Sequence, residues 1–153
     1  MTRARDTAII IGKVLQLSIR QDARLRERDR GKHLLGMNEK EVRKYLGVIY
    51  EEYLSFSSEQ QFHHHFFDDY ETYYETVIRM RNCLQDISKE YPNKTVLLVT
   101  HGAITRAFLA YIGFAPFSAL PSGSFQNCGY INLIYNGELF HVEKTKGLNV
   151  IYE

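Results

Sequence analysis

The most constraining feature of the sequence is a short apolar run that leads directly into a histidine and a glycine. Residues 95–100 read Thr-Val-Leu-Leu-Val-Thr, and His101-Gly102 follow at once. A β-branched apolar run of this length is typical of a strand that is buried on both faces. The next residues predict a helix over 103–112, which Gly113 ends. A buried strand between helices predicts an α/β layer fold.

The corner between this strand and the following helix is suited to an anionic ligand. In open α/β sheets, ligands bind at the carboxyl ends of the strands. A helix that begins there directs its N–H groups and its positive dipole end at the ligand, so Gly102 and Ala103 are candidate substrate-binding residues. His101 can donate a charged hydrogen bond to a phosphate oxygen. A histidine that ends a strand is equally common as a turn or core residue, and both interpretations remain open on this feature alone.

Helical spacing of apolar residues predicts three further helices. The first covers residues 2–16. The second begins at Asn38, which forms a capping box with Glu41, and continues to Ile49. The third covers residues 71–91, where apolar side chains alternate in steps of four and three. Long helices around one buried strand are consistent with the α/β layer fold.

The last part of the chain predicts a β-hairpin. Residues 130–135 and 139–142 form its strands, and Asn136-Gly137 is the preferred dipeptide of a type I′ turn. The run His63–His65 is interpreted as a loop or helix-flank feature, with a metal site as the alternative. Three connecting segments are predicted to be extended or irregular, and the last two are expected to shape a substrate pocket: residues 17–25, 55–70 and 116–123.

The composition fits a single domain over residues 1–153. Hydrophobic residues make up 44% of the chain, which is enough for one core. With 19 basic and 18 acidic side chains, the net charge of +1 gives no reason to expect a nucleic-acid or membrane partner. There is no apolar signal-peptide core and no run of the roughly 20 residues that a membrane helix needs. We therefore expect a cytoplasmic protein in which Cys83 and Cys128 are reduced.

Two arginine-containing segments strengthen the case for an anionic ligand. Arg3 lies near the start of the first helix, where a guanidinium can bind phosphate bidentately. Glu27 lies among arginines and suits a proton donor beside a phosphoester oxygen. Arg28 belongs to a basic run that forms either a mixed-charge solvated face or a rim that attracts an anionic substrate. The plain alternatives are a surface helix residue for Arg3 and an exposed ion pair for Glu27.

Taken together and in this order, five segments of the sequence resemble the histidine phosphatase superfamily, the group that includes the phosphoglycerate mutases. Each segment matches a family motif: R-A-x-x-T-A at residues 3–8, L-x-E-x-x-x-G at 25–31, an E-S-like pair at Glu71-Thr72, a hydrophobic strand ending in S/T-H-G at 96–102, and an asparagine before the final hairpin at Asn127. The resemblance implies a three-layer fold in which helices flank a mostly parallel sheet.

The resemblance also implies roles for three residues. Arg3 would bind the phosphoryl group, Glu27 would be the general acid that protonates the leaving oxygen, and His101 would stabilise charge on the transferring phosphoryl group. The implied protein is a phosphohydrolase that acts on a small phosphorylated metabolite through a phosphohistidine, without a metal or a cofactor. A phosphoglycerate-type mutase is the alternative within the family.

The sequence departs from the family at its nucleophile. The family's first strand ends in R-H-G, whose histidine attacks phosphorus, and no Arg-His-Gly occurs in this sequence. Three explanations fit this departure: the sequence starts at an internal methionine, it belongs to an inactive relative that binds a phosphorylated ligand or a partner, or another chain supplies the strand. Because the missing strand would be central, we expect unpaired edges, exposed apolar surface, and marginal stability or self-association as a homo-oligomer.

Overall fold

Helices form most of the secondary structure in the computed structural model, which describes residues 2–151. Within that range seven α-helices precede two β-strands. Their bounds are α1 Thr2–Leu15, α2 Gly31–Leu34, α3 Glu39–Leu46, α4 Val48–Ser55, α5 Ser58–His63, α6 Tyr73–Glu90, α7 Gly102–Tyr111, β1 Phe125–Tyr135 and β2 Phe140–Leu148. The α/β class predicted from the sequence is confirmed by these elements. None of the described helices is long and apolar enough to span a bilayer.

The main core lies between α6 and α7. Val77 on α6 and Ile104 on α7 are fully buried, and Phe108 is nearly so. Thr72 is the N-cap of helix α6, and its side chain forms a capping box with Glu75. The predicted helices over 71–91 and 103–112 are therefore confirmed to within two residues at each end. This pair of helices fixes the position of the candidate site, because α7 begins directly after His101.

A second, aromatic-rich cluster packs around α3 and α4. Its buried members are Leu34, Val42, Leu46, Tyr50 and Tyr70. The capping box of Asn38 and Glu41 opens α3 as predicted. Gly47 ends this helix, because its φ of 53° is outside the helical range, so the predicted single helix is two. Helix α5 was not predicted, although its capping box of Ser57 and Gln60 is a readable start signal.

The hairpin pairs β1 with β2 antiparallel, and it is longer than predicted. Tyr135 is paired with Phe140, so the loop contains four residues and the predicted two-residue type I′ turn is wrong. The reason is local. The Asn136 side chain accepts hydrogen bonds from the N–H groups of Glu138 and Leu139, which closes a wider loop. Four-residue hairpin loops are a common alternative.

The segment 95–100 is extended but belongs to no sheet in the described part of the chain. Across residues 2–151 its backbone groups form no hydrogen bond with another segment. The predicted burial on both faces is wrong here, since Val96 and Leu97 are 39% and 56% exposed. The physical reason is that a buried strand needs neighbours on each side, and the hairpin is the sheet that the described residues form. The mostly parallel sheet stays a prediction.

A second extended, apolar segment follows α1. Leu17 and Ile19 lie in this segment and are largely exposed, and the same is true of Ile10 and Val14 on α1. Of the residues of α1 only Gly12 is buried, against the Leu17 carbonyl and the Ile19 side chain. Apolar side chains are thus exposed on α1 and the two extended segments, and also elsewhere, with Leu35 and Val48 the most exposed at 80% and 83%.

Candidate functional site

The carboxylate of Glu27 lies at the N-terminus of α7. Its Oε1 atom accepts the N–H of Ile104 at 3.1 Å, and Oε2 is 3.4 Å from the N of Ala103. The same Oε1 also accepts the N–H of Arg28 at 3.0 Å. A carboxylate is well placed there, because the first N–H groups of a helix have no partner within the helix. The end of α7 therefore holds an anionic group already, from the chain itself.

The segment that carries Glu27 is held by Arg79 of α6. The Arg79 guanidinium donates to the carbonyl oxygens of Arg24 at 2.6 Å, Arg26 at 2.8 Å and Glu27 at 3.2 Å. It also forms a bidentate pair with Glu71, with Nε–Oε1 at 2.5 Å and Nη2–Oε2 at 2.9 Å. The sequence offered Glu71 as a loose motif match, and it gave no signal for Arg79.

Glu71 completes this support from the other side. Its carboxylate accepts the N–H of Asp29 at 2.9 Å and an N–H of the Arg26 side chain at 3.2 Å. Burial alone would raise the pKa of Glu71, but the hydrogen bonds from Arg79 and Asp29 and the charges of Arg79 and Arg26 outweigh it. The net result is a pKa below the ordinary range, so Glu71 is ionised at neutral pH. Arg79 and Glu71 thus fix the backbone of the segment that carries Glu27.

His101 is the residue that immediately precedes α7. It is partly buried, and its backbone carbonyl accepts hydrogen bonds from the N–H and the hydroxyl of Thr105. Burial lowers the pKa of the imidazole; the charge of Glu27 acts in the opposite direction, and the charges of Arg3 and Arg79 lower it further. The net pKa lies below the usual histidine value, so the ring is largely neutral at pH 7.

Arg3 is an exposed residue in the first turn of α1. Its positive charge is one of the smaller contributions to the lowered pKa of His101. The structure places Glu27 and His101 at one end of α7, and the position of Arg3 beside them stays a prediction. Their catalytic roles stay predictions.

The other predicted binding residues divide into two groups. Gly102 and Ala103 form the first turn of α7, where the Ala103 N–H already points to Glu27. No atom lies within 4 Å of a Cβ built on Gly102, so the protein itself does not require glycine there. Arg28 points elsewhere: its guanidinium stacks over the rings of Tyr70 and Tyr73. It is not part of the group around His101.

The glycine that ends the L-x-E-x-x-x-G segment has a structural explanation. Gly31 has a φ of +71°, and a Cβ at this position would lie 2.5 Å from Oδ1 of Asp69. The Asp69 carboxylate accepts the N–H of Lys32 at 2.9 Å. Gly31 thus lets the chain turn sharply after the Glu27 segment and brings Asp69 against α2.

The histidine run does not form a metal site in the described region. His63 lies 3.3 Å from Glu59, His64 packs among aromatic rings, and Nδ1 of His65 is 2.9 Å from the Tyr70 carbonyl. Among residues 2–151 no group of three or more metal-ligating side chains comes together. Cys83 is buried and Cys128 is exposed, and neither is paired.

The sequence matches a protein-family model. The family model described as histidine phosphatase superfamily (branch 1) matches residues 1–146. No curated protein matches the chain in sequence.

Several solved structures have a similar fold. Bacillus stearothermophilus YhfR is 26% identical, with a TM-score of 0.74 over 92% of this chain and 67% of its own. A mycobacterial hydrolase has a TM-score of 0.74 at 19% identity, over 97% of this chain and 72% of its own. The mycobacterial glucosyl-3-phosphoglycerate phosphatase complexed with VO3 has a TM-score of 0.70 at 20% identity, over 93% of this chain and 71% of its own. With a family model that spans almost the whole sequence, this chain belongs to the histidine phosphatase superfamily.

Proposed function

We propose that this chain supplies the phosphoryl-binding and proton-donating side chains of a phosphohydrolase that works through a phosphohistidine on a small phosphorylated metabolite. The observation that carries the proposal is the meeting of Glu27 and His101 at the N-terminus of α7. Helix N-termini bind phosphate through their N–H groups and dipole. The phosphatase among the structural neighbours favours hydrolysis over a mutase reaction.

In the proposed reaction, the substrate phosphoryl group binds at the end of α7 and displaces the Glu27 carboxylate from the Ala103 and Ile104 N–H groups. The displaced Glu27 carboxylate takes up a proton from solvent. Glu27 then gives its proton to the leaving oxygen as the P–O bond breaks and the P–N bond to the nucleophilic histidine forms. Arg3 and His101, whose charged form the bound phosphoryl group favours, offset charge on the transferring group. Glu27, now a carboxylate, takes a proton from a water molecule as that water attacks phosphorus, the P–N bond breaks, and phosphate and free histidine are released.

The nucleophile itself is proposed to come from a strand next to segment 95–100. This segment ends at His101, has unpaired backbone groups, and exposes Val96 and Leu97. Thr100 ties its end to the Glu27 segment, since its hydroxyl donates to the Leu25 carbonyl at 2.7 Å. A strand added here would bring its carboxyl end to the same edge as His101 and would start the mostly parallel sheet. The strand would belong to a longer form of this chain or to another chain.

A second candidate function is a binding module without turnover. It is favoured by the combination of a retained Glu27–His101 corner with the absence of Arg-His-Gly from the sequence. Such a module would bind phosphate or a phosphorylated ligand at α7 and leave it intact.

The test combines phosphate binding with phosphate release. Binding of inorganic phosphate is measured by calorimetry for the parent chain, for His101→Ala, and for His141→Ala as a control on an exposed histidine of β2. Hydrolysis of an aryl phosphate is measured on the same samples without metal. We expect the parent and His141→Ala to bind phosphate, His101→Ala to bind at least about tenfold more weakly, and no variant to turn over by itself. If the parent chain hydrolyses the aryl phosphate and His101→Ala does not, the proposal that the nucleophile comes from an added strand is contradicted. Phosphate binding that is unaffected in His101→Ala would contradict the proposed pocket.

A further inference from the structure

Asn136 and Gly137 lie in the exposed loop that joins β1 to β2. The Asn136 amide oxygen accepts the N–H of Glu138 at 3.0 Å and that of Leu139 at 2.8 Å. Because these donors are the second and third N–H groups further along the chain, the side chain folds forward over the Asn136–Gly137 peptide bond. The carbonyl carbon of the side chain is therefore directed toward the backbone nitrogen of Gly137.

The Gly137 nitrogen is free to react. Its N–H donates to no acceptor among residues 2–151, whereas the Gly137 carbonyl accepts the Tyr135 hydroxyl at 2.7 Å. Glycine has no Cβ to shield the nitrogen, and its φ of +99° is a conformation that other residues rarely adopt. Both Asn136 and Gly137 are exposed, so water reaches the reacting atoms. A nucleophilic nitrogen, an amide carbon and water thus meet in one loop.

The two N–H donors to Asn136 act on its side-chain carbonyl as an oxyanion hole does. When a nitrogen attacks an amide carbon, negative charge develops on the amide oxygen, and hydrogen-bond donors that are already in place there lower the barrier. The closed loop also holds the nucleophile and the carbonyl together, which removes part of the entropic cost of the reaction. An unfolded chain contains the same two residues without either advantage. The folded hairpin should therefore react faster than the same sequence unfolded.

We propose that Asn136 is a site of spontaneous covalent modification, at which the folded hairpin converts the asparagine to aspartate and isoaspartate. The Gly137 nitrogen gives its proton to water and forms a bond to Cγ of Asn136. The Cγ–Nδ2 bond breaks, and Nδ2 takes up a proton and leaves as ammonia, so that a cyclic succinimide remains. A water molecule then opens the ring. Its attack on Cγ gives aspartate, and its attack on the backbone carbonyl carbon gives isoaspartate, in which the chain continues through the side chain.

The two products should have different effects on the hairpin. Aspartate keeps the oxygen that accepts the two N–H groups, and the backbone is unchanged. Isoaspartate lengthens the backbone, so the Gly137 carbonyl moves away from the Tyr135 hydroxyl that it accepts. Tyr135 stacks on Phe140 with the ring centroids 4.3 Å apart, and Phe140 packs against Phe108 of the main core. Isoaspartate should therefore weaken the attachment of the hairpin to the core.

The first test compares the folded and the unfolded chain. Samples of the parent protein are kept at the same temperature and pH with and without urea, and peptide mapping by mass spectrometry follows the conversion of asparagine to acid. We expect conversion at Asn136 to be at least about threefold faster in the folded chain, which is a small part of what one oxyanion-hole donor contributes in an enzyme. A rate in the folded chain that is equal to or below the rate in urea would overturn the proposal.

Asn38 is a control within the same sample. Its side-chain oxygen also accepts a backbone N–H, that of Glu41 at 3.0 Å, but the residue that follows it is Glu39 in the first turn of α3. In the folded chain Asn38 should stay unmodified over the period in which Asn136 is converted. Equal conversion at the two positions would contradict a special reactivity of the hairpin loop.

Variants assign the reaction to the Gly137 nitrogen. Gly137→Ala places a Cβ beside this atom and should slow conversion at Asn136 at least about tenfold. Gly123→Ala is the matched control, because Gly123 also has a positive φ, +85°, and a Cβ built on either glycine meets no atom within 4 Å. Unchanged conversion in Gly137→Ala would overturn the proposal. Circular dichroism checks that each variant folds, and Asn136→Gln replaces Gly137→Ala if the latter does not, since glutamine would have to close a larger ring and should stay unmodified.

The effect on the hairpin is measured separately. Ion exchange separates the isoaspartate form from protein that has been kept until Asn136 is partly converted, and Asn136→Asp supplies the aspartate form. The isoaspartate form should unfold at a temperature lower by about 2–4 °C or more. Equal unfolding temperatures would overturn the proposed effect of isoaspartate on the attachment of the hairpin.

Discussion

Arg79 and Glu71 form a bidentate pair in which the two side chains are only 12% and 11% exposed. The same guanidinium donates to three carbonyl oxygens of the segment that carries Glu27. This makes the pair a structural support of the site, although neither residue reaches the end of α7.

Replacing Arg79 with methionine should therefore strongly lower the stability of the fold. The change removes the bidentate partner of a shielded carboxylate, which keeps its bonds from Asp29 and Arg26, and it leaves three carbonyl oxygens without the Arg79 donor. We expect the free energy of unfolding to fall by about 3–5 kcal/mol. Urea unfolding followed by circular dichroism measures this. Arg43→Met is the matched control, since it breaks an exposed pair with Glu51, whose side chains are 58% and 55% exposed, and should cost less than about 1 kcal/mol. Similar losses in both variants would show that the buried pair has no special role.

The pKa of Glu71 makes a prediction for acid stability. Because its pKa is lower in the folded chain than the ordinary value of 4.5, its contribution is complete above that value and is lost as the pH falls through the folded-state pKa. The difference in unfolding free energy between the parent and Glu71→Gln should then be largest near pH 7 and shrink below about pH 4.5. Urea unfolding at a series of pH values tests this. A difference that is constant with pH would mean that the carboxylate charge is not what stabilises the segment.

His101 should respond to its two neighbours with opposite signs. The Arg3 charge lowers the pKa of the imidazole and the Glu27 charge raises it. NMR titration should therefore find a higher His101 pKa in Arg3→Gln and a lower one in Glu27→Gln, with the parent in between and below 6.5. Phosphate should raise the value in the parent, because an anion favours the charged ring. Shifts of the same sign in both variants would place one of these residues away from His101.

Gly31 and Gly36 allow the cost of a left-handed backbone to be separated from the cost of a steric clash. Both have positive φ, +71° and +79°, but a Cβ on Gly31 meets Asp69 at 2.5 Å whereas a Cβ on Gly36 meets nothing within 4 Å. Gly36→Ala should cost about 1–2 kcal/mol for the left-handed backbone alone. Gly31→Ala should cost at least about 1 kcal/mol more, since Asp69 must move. Thermal or urea unfolding of the two variants gives the comparison directly, and equal costs would mean that Asp69 adapts freely.

Amide hydrogen exchange tests the unpaired state of segment 95–100. The N–H groups of Val96 and Leu97 should exchange almost as fast as in an unfolded chain, while those of Val77 and Phe108 in the core helices should be protected. The proposed strand, when present, should slow the exchange at 96–99. Strong protection in the chain alone that does not change with protein concentration would show that the segment already has a partner within the chain.

The features that could be predicted from the sequence are those that depend on interactions between residues close together in the chain. Helices α6 and α7 and the capping box that opens α3 were predicted because their signals are local: apolar spacing, Gly113, and Asn38 with Glu41. The burial predicted for 95–100 was wrong, because burial depends on neighbouring strands that the local sequence does not specify. For the site, Arg3, Glu27 and His101 were predicted from motifs, and the structure places Glu27 and His101 at the N-terminus of α7. The support from Arg79 and the contact of Arg28 with Tyr73 were out of reach, because both join residues that only the tertiary fold brings together.

The sparse packing of α1 has a thermodynamic consequence for Arg3. Gly12 is the one buried residue of this helix, and its apolar side chains Ile10, Val14 and Leu15 face solvent. A phosphate ion that recruits Arg3 must therefore also restrict the motion of a loosely packed helix, and the lost entropy is subtracted from the affinity. Any strand or chain that covers those apolar residues would restrict α1 beforehand. Phosphate affinity would then rise although no contact in the pocket had changed, because less entropy would be lost on binding. Completion of the sheet would thus strengthen phosphate binding without touching the phosphate.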